Sequence, residues 1–196
     1  MKRSGIMKKA VLLILSIVLT FAICGATPAA SKKSKALKAY GKYLEKHASV
    51  VQFGILYLDK DSVPELAVIE RNSSGWKTGD LFSYKNGKVR QYNTGKYVTS
   101  MSTIFRGFYK KKGIVEITSD DAGSQETWYC RISGMYLRPV TEKWNSRGTT
   151  YCICSPFSKV TKKQFNAELK KYTGGRKLTK IKYYSNTASE RKKRLK

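Results

Sequence analysis

The stretch between residues 57 and 65 carries the residue types and spacing closest to a chemical site. It reads Tyr-Leu-Asp-Lys-Asp-Ser-Val-Pro-Glu, in a chain that has only 13 acidic residues against 39 basic ones. Asp59, Asp61, Glu65 and the carbonyl of Val63 place oxygens at alternate positions of a tight loop, and oxygen is the donor that calcium prefers. The aspartates can instead bond their own backbone in a β-turn. The spacing of this acidic turn, residues 57–65, therefore predicts either a weak calcium loop or a structural turn.

The acidic turn resembles the calcium loops between paired strands in FG-GAP-type repeats. Their pattern is acidic-x-acidic-x-acidic-Gly-x-x-acidic, and the resemblance covers the nine residues from Tyr57 to Glu65. Tyr57 stands where the first acidic ligand would be, and Ser62 where the repeats have glycine. The resemblance implies calcium held by the matching oxygens, with two departures that weaken the site.

A wider set of strings is similar to small secreted proteins, without an assigned activity, of Gram-positive anaerobic bacteria. The strings are LDKDSVPELAV, YKNGKV, VTKKQFNAELKKYTGG and NTASERKKRLK, which are spread over nearly all of the chain after its leader. This resemblance implies an exported protein and an architecture, and it brings no catalytic residues.

Three cysteines follow the leader, namely Cys130, Cys152 and Cys154. On one strand Cys152 and Cys154 would share a face at about 6.5–7 Å, which is poor geometry for a disulfide. Cys130 on another strand can pair with either, leaving one odd thiol. The alternatives are reduced cysteines in the core, or a zinc site that adds His47 without the tight ligand spacing usual for zinc.

Catalysis has little support in the sequence. The single histidine leaves few Ser-His or Cys-His pairs, and no GxSxG, P-loop, GxGxxG or HExxH string is present. The chain has enough carboxylates for a glycoside-hydrolase pair, but the sequence does not show which of them face the same cleft. The candidates are Asp59, Asp61, Glu65, Glu116, Asp120, Asp121 and Glu142.

The first 30 residues have the pattern of a secretory signal peptide. Four basic residues precede the apolar run Ala10–Ile23, and small residues follow it. As a helix this run would rise about 21 Å, short of the roughly 30 Å hydrocarbon core of a bilayer. We therefore expect a cleaved leader and an extracellular or cell-envelope location. Lipidation of Cys24 is the alternative, although Ile23 before it is bulky.

The charge of the chain is strongly positive. The formal net charge is +26, and removing the four basic residues of the leader gives +22. An exported protein does not meet the cell's nucleic acid, so we expect anionic wall polymer, lipid or glycan as partners. The alternative is that the charge serves solubility alone. The predicted anion-binding residues are Lys162, Lys163, Lys170, Lys171, Arg176, Lys177, Lys180, Lys182, Arg191, Lys192, Lys193 and Arg194.

Hydrophobic periodicity predicts two helices around a run of strands. Ala36–His47 has helical spacing, and Thr161 with Gln164 forms a capping box for a second helix ending at Gly174-Gly175. Asn86-Gly87 indicates a two-residue hairpin that pairs Tyr84 with Val89. The expected strands are Val50–Leu58, Glu65–Glu70, Leu81–Lys85, Lys88–Tyr92, Phe105–Lys110, Ile114–Ser119, Trp128–Ser133, Met135–Trp144 and Thr149–Cys154.

These elements predict an α+β fold, in which one curved antiparallel sheet of about nine strands is flanked by an N-terminal and a C-terminal helix. The expected organisation is a signal peptide (1–30), one globular domain (31–175) and a basic C-terminal extension (176–196). We expect a monomer and a non-enzymatic binding protein. A hydrolase of wall or glycan material and a cationic membrane-active factor are the alternatives. Of the tryptophans, Trp76 alone is expected to be exposed.

Overall fold

A computed structural model of the chain describes residues 28–95, 102–121 and 123–196. The predicted signal peptide, including Cys24, lies almost entirely outside the described residues. The chain divides into the units Met1–Lys32 and Lys33–Lys196. The architecture below is that of the second unit, which holds all the strands of the described residues.

The described residues form an α+β fold with three helices. Helix α1 spans Pro28–Lys46, α2 spans Lys162–Thr173 and α3 spans Ala188–Arg194. The strands are β1 Val50–Leu56, β2 Glu65–Arg71, β3 Lys77–Lys85, β4 Lys88–Gln91, β5 Thr103–Tyr109, β6 Ile114–Asp121, β7 Ser124–Ser133, β8 Tyr136–Asn145, β9 Thr149–Cys154, β10 Phe157–Val160, β11 Thr179–Lys180 and β12 Tyr184–Ser185.

The strands form two antiparallel sheets, which corrects the expected single sheet. Sheet A has the order β12-β1-β2-β3-β4, and sheet B has the order β10-β9-β8-β7-β6-β5-β11. The sequence predicted nine of the twelve strands. Periodicity shows which side chains of a strand are buried, but it does not show which sheet the strand joins.

The two sheets and two helices stack in four layers, because both faces of each sheet are partly covered. Between the sheets lies a core with Leu56, Leu81, Phe105 and Ile117. The apolar face of α1 packs on the outer face of sheet A through Leu37, Tyr40 and Leu44. Helix α2 packs on the outer face of sheet B through Phe165 and Leu169.

The local signals for the hairpin and for α2 are confirmed. Asn86 and Gly87 both have positive φ (51° and 76°), and Tyr84 pairs with Val89. Thr161 and Gln164 exchange the hydrogen bonds of a capping box, and Gly174 ends the helix in the left-handed conformation. Short-range turn and cap chemistry therefore determines these elements.

Residues 179–185 fasten the two sheets together, and we call them the C-terminal clasp. Its first strand pairs with β5 at one edge of sheet B, and its second pairs with β1 at one edge of sheet A. Between the strands, Ile181 and Tyr183 pack against the inter-sheet core, and the Tyr183 hydroxyl donates to the Phe105 carbonyl at 2.8 Å. Residues 176–196, expected as an extension, are thus part of the folded unit.

The clasp fits closely because glycines lie beneath it. A Cβ on Gly54 would lie 2.8 Å from Cγ2 of Ile181 and 3.0 Å from the Lys182 carbonyl oxygen. A Cβ on Gly107 would lie 2.9 Å from Cγ of Leu178. All three distances are below ordinary van der Waals contact, so a side chain at either glycine would push residues 178–182 away.

Candidate functional site

The acidic turn is a compact loop whose aspartates bond their own backbone. Asp59 Oδ1 accepts from the Asp61 N–H at 2.9 Å, and Asp61 Oδ1 accepts from the Val63 N–H at 2.8 Å. Ser62 has a φ of 63°, the left-handed conformation for which the resembled repeats use glycine. The turn thus has the hydrogen bonding expected of a structural loop.

Glu65 closes the acidic turn from inside the protein. It is 3% exposed, and its Oε2 accepts from the Leu58 N–H at 2.9 Å. Burial, reinforced by the nearby charges of Asp59 and Asp61, raises the pKa of Glu65 from 4.5 to about 8 despite that hydrogen bond. A carboxyl group that is protonated more readily is a weaker metal ligand.

Among the residues that the structure describes, no group of three or more His, Cys, Asp or Glu side chains is arranged to hold a metal ion. His47 follows the last residue of α1, is exposed and stacks on Tyr43 of that helix, with ring centroids 3.9 Å apart, so it does not join the cysteines of sheet B. The calcium loop of Asp59, Asp61, Val63 and Glu65 stays a prediction.

The three cysteines are free thiols on neighbouring strands of sheet B. Strand β8 separates Cys130 on β7 from Cys152 and Cys154 on β9. Two strand spacings amount to about 9.6 Å, beyond the roughly 7 Å between Cα atoms that a disulfide tolerates. The predicted disulfide would require movement of the backbone.

A cavity of about 420 Å³ opens beside β8, and we call it the β8 groove. Strand β9 pairs with β8 only from Thr141 onward, whereas Tyr136 is bridged by Asn93 from another part of the chain. The groove lies between these two contacts, at the part of the β8 edge that neither β9 nor Asn93 covers. Its lining comprises Gly95, Tyr136, Leu137, Arg138, Pro139, Glu142, Cys154, Ser155 and Phe157.

Glu142 is the acidic residue at the inner end of the groove. It lies directly across from Trp128 on β7 and Cys152 on β9. Its carboxylate accepts hydrogen bonds from the Trp128 indole and the Cys154 thiol. Burial raises the pKa of Glu142, and burial together with the Glu142 charge raises the pKa of Cys154 to about 12. Cys154 is therefore a hydrogen-bond donor here and not an activated nucleophile.

The rim of the groove is aromatic. Tyr136 is 50% exposed and Phe157 is 61% exposed, and the Arg138 guanidinium lies 5.4 Å from the centroid of the Tyr136 ring.

The unpaired edge of β8 explains why this strand tolerates a proline at position 139. The Leu137 N–H bonds Asn93 at this edge, and residue 139 directs its backbone to the same side, where proline leaves no unpaired N–H.

A second cavity of about 220 Å³ continues past Glu142 along β8. It is lined by Glu126, Trp128, Glu142, Lys143 and Trp144. Glu126 lies diagonally across from Glu142, since Trp144 is its direct partner. Two carboxylates therefore line one cavity between two tryptophans.

The remaining predicted carboxylates are apart from the groove. Glu116 accepts from the hydroxyl of Tyr129, whose ring packs against α2. Asp120 lies 3.7 Å from Arg106 and accepts from Gln125. The side chain of Asp121 lies outside the described residues.

The predicted anion-binding residues divide into two groups. Arg191 and Arg194 are partly buried; Arg191 donates to Asn186, while Arg194 pairs with Glu190 and stacks over Tyr184 at 4.0 Å. Lys171 is exposed but paired with Glu168. The exposed residues for which the described structure records no ion pair are Lys162, Lys163, Lys170, Arg176, Lys177, Lys180, Lys182, Lys192 and Lys193.

The sequence did not point to the aromatic rim. It predicted Trp76 as the exposed tryptophan, which the structure confirms at 52% exposure, but Tyr136 and Phe157 were not singled out. The available signals were weak ones, namely Pro139 within a strand and Ser155-Pro156 ending β9.

None of the helices in residues 28–95, 102–121 and 123–196 has both the length and the apolar character that a bilayer span requires. Comparisons with protein-family models, with curated proteins and with solved structures find no match to this chain.

Proposed function

We propose that this chain is an exported, non-enzymatic protein that binds an anionic polymer of the cell envelope through its basic surface. The observation that carries the proposal is the set of exposed, unpaired lysines and arginine on α2, the loop after it, the clasp and α3. Attraction between such a surface and a polyanion needs no shaped pocket.

The acidic residues neutralise little of the positive charge on this surface. Glu65 is buried with a raised pKa, and Asp59 and Asp61 bond backbone N–H groups of the acidic turn. Between Lys159 and Lys196, the two acidic residues Glu168 and Glu190 each pair with a basic neighbour. These exposed basic side chains therefore face solvent with few acidic side chains near them to neutralise their charge.

The test compares two triple variants of equal charge. Lys163→Gln, Lys170→Gln and Lys177→Gln remove three exposed lysines from α2 and the loop after it. Lys77→Gln, Lys85→Gln and Lys88→Gln remove three exposed lysines from β3 and β4. Sedimentation with wall material carrying phosphate polymer is expected to fall more for the first triple, and to fall for the wild type as salt rises because the Debye length shortens from about 10 Å at 0.1 M to about 3 Å at 1 M.

Three results would contradict the proposal. One is the absence of binding at low salt, another is binding as strong in 1 M salt as at low salt, and the third is an equal loss in both triples. Leakage of dye from anionic vesicles would instead support the membrane-active alternative, since a polymer-binding protein leaves vesicles intact.

A hydrolase is the second candidate, favoured by the cavity that Glu126 and Glu142 share. Burial raises the pKa of Glu142, which suits a proton donor to a leaving oxygen, while Glu126 is more exposed. New reducing ends released from wall glycan by the wild type, and lost in Glu142→Gln and Glu126→Gln, would support this candidate. Intact glycan after incubation would remove it.

A further inference from the structure

We infer that the β8 groove binds a neutral glycan, one sugar unit of which lies between Tyr136 and Phe157. This site is separate from the basic surface and recognises its ligand by shape and hydrogen bonding. The inference goes beyond the proposed function, because it assigns a second ligand of different chemistry.

The aromatic rim supplies the apolar contacts. Tyr136, Phe157 and Trp76 are the large hydrophobic side chains that the described structure leaves exposed, and two of these three line the same cavity. Leu137 and Pro139 line the cavity between them. A pyranose ring has apolar C–H faces that pack on aromatic rings, whose faces are electron-rich.

The polar groups supply orientation and indicate a ligand without net charge. Arg138 donates hydrogen bonds, whereas the Glu142 carboxylate and the Pro139 carbonyl accept them. One positive and one negative side chain among the nine lining residues leave the groove close to neutral. Sugar hydroxyls both donate and accept, so a neutral sugar can satisfy all three groups.

An extended peptide fits the groove less well. A peptide that adds to a sheet needs a free strand edge with alternating backbone donors and acceptors. The edge of β8 between the Asn93 bridge at Tyr136 and the first β9 pair at Thr141 is short. Within it, Pro139 lacks the N–H that a paired strand would require.

The neighbouring cavity extends the binding surface along β8. Glu142 lines both cavities, and Trp144 lies at the far end of the second. From Tyr136 to Trp144 the strand runs about 26 Å. Phe157 and Trp144 project from the same face of sheet B, because Phe157 pairs with Cys154, and Cys154 shares a face with Cys152, the partner of Glu142. Two aromatic rings on one face suit several linked sugars better than a single one.

The test is isothermal titration of the full chain with a tetramer of N-acetylglucosamine in 0.5 M salt. Saturable binding is expected, with affinity reduced about tenfold or more by Phe157→Ala and by Tyr136→Ala. Both side chains are at least half exposed, so their loss spares the core. Trp76→Ala is the matched control, since it removes an equally exposed aromatic ring from a loop of sheet A, and it is expected to leave binding unchanged.

Absence of saturable binding, or equal binding by wild type, Phe157→Ala and Tyr136→Ala, would overturn the inference. Titration with cellotetraose tells which sugar is preferred, and binding of either tetramer that depends on Phe157 supports the site. High salt separates this site from the basic surface. Failure of the envelope-polymer proposal would remove the salt-dependent part of wall retention and leave the glycan titration intact, and failure of the groove would do the reverse.

Discussion

The inner face of sheet B is used differently at its two ends. From β5 to β7 it is covered by sheet A, and Phe105, Ile117 and Trp128 are buried in the inter-sheet core. From β8 to β10 the same face carries Glu142, Cys154 and the exposed Phe157. The two sheets differ in width, with five strands against seven. Because sheet A is narrower, part of the inner face of sheet B near β8–β10 is not covered and forms a groove.

The edges of sheet B differ in the same way. At the covered end, the clasp adds β11 to the edge of sheet B and β12 to the edge of sheet A, so one segment supplies an edge strand to each sheet. At the open end, β10 is the edge strand of sheet B among the described residues, and most of its residues are exposed. One end of sheet B is thus joined to sheet A through the clasp, whereas the other end is exposed to solvent.

The largest expected contrast is between two phenylalanines. Phe105 is fully buried and Phe157 is 61% exposed. Phe105→Ala is expected to reduce the free energy of unfolding by about 3–5 kcal/mol, through lost burial and the cavity left behind. Phe157→Ala is expected to change it by less than about 0.5 kcal/mol. Urea titration measures both, and similar losses would show that the open end is also core.

The second prediction concerns the buried carboxyl of Glu65. Its pKa is raised from 4.5 to about 8, so the folded state binds the proton more tightly than the unfolded state. The resulting stabilisation is complete below pH 4.5 and is lost as the pH rises to about 8. Glu65→Gln is expected to remove this loss. Between pH 4.5 and pH 8.5, the free energy of unfolding of the wild type should therefore fall by about 2–4 kcal/mol more than that of the variant.

Glu142→Gln at the open end serves as the comparison for Glu65→Gln. Glu142 is only partly buried, so its substitution is expected to change the same pH dependence in the same direction but by less. Unfolding midpoints at several pH values give both slopes. A wild type whose stability does not fall between pH 4.5 and 8 relative to Glu65→Gln would contradict the placement of Glu65.

The third prediction addresses the clasp. Gly54→Ala is expected to destabilise the protein by about 1–3 kcal/mol, because the new methyl group overlaps Ile181 and the Lys182 carbonyl. Faster tryptic cleavage at Lys180 and Lys182 would show that the clasp itself has loosened. Gly41→Ala is the control: its Cβ would meet only Leu195 at 3.7 Å, and within α1 it should stabilise by up to about 1 kcal/mol.

The smallest expected effect is at Thr141, on the face of β8 that does not line the groove. Thr141 is fully buried, and its hydroxyl is the one buried side-chain oxygen without a partner among the residues described. Thr141→Val keeps the branched shape and removes that hydroxyl, so we expect a gain of about 1 kcal/mol. A loss of stability in thermal unfolding would show that the hydroxyl has a partner.

Local chemistry made part of this fold predictable from sequence. The Asn86-Gly87 turn and the Thr161–Gln164 capping box each depend on a few neighbouring residues, and both have the expected geometry. Most expected strands were found because alternation of apolar residues is a short-range signal. The calcium loop, the disulfide and export remain predictions, since each depends on an ion, a covalent change or a leader outside the described residues.

The features that were not predicted depend on distant parts of the chain. The sequence predicts an extended segment over Lys177–Tyr184, but strands β11 and β12 have two residues each, too few to show which strands they join. They pair with β5 and β1, which offer free edges. The groove exists because sheet A covers β8 only in part and because β9 pairs with β8 only from Thr141 onward. Whether Phe157 is buried or exposed depends on how far these distant strands extend, which no residue near Phe157 encodes.

The clasp also sets the order in which the molecule can be completed during synthesis. It pairs Gln52 with Ser185 and Phe108 with Thr179, so contacts at two sheet edges join residues that lie far apart in the sequence. Contacts so distant in sequence form late and slow folding. Until residues 179–185 have been synthesised, the edges formed by β1 and β5 lack these partner strands.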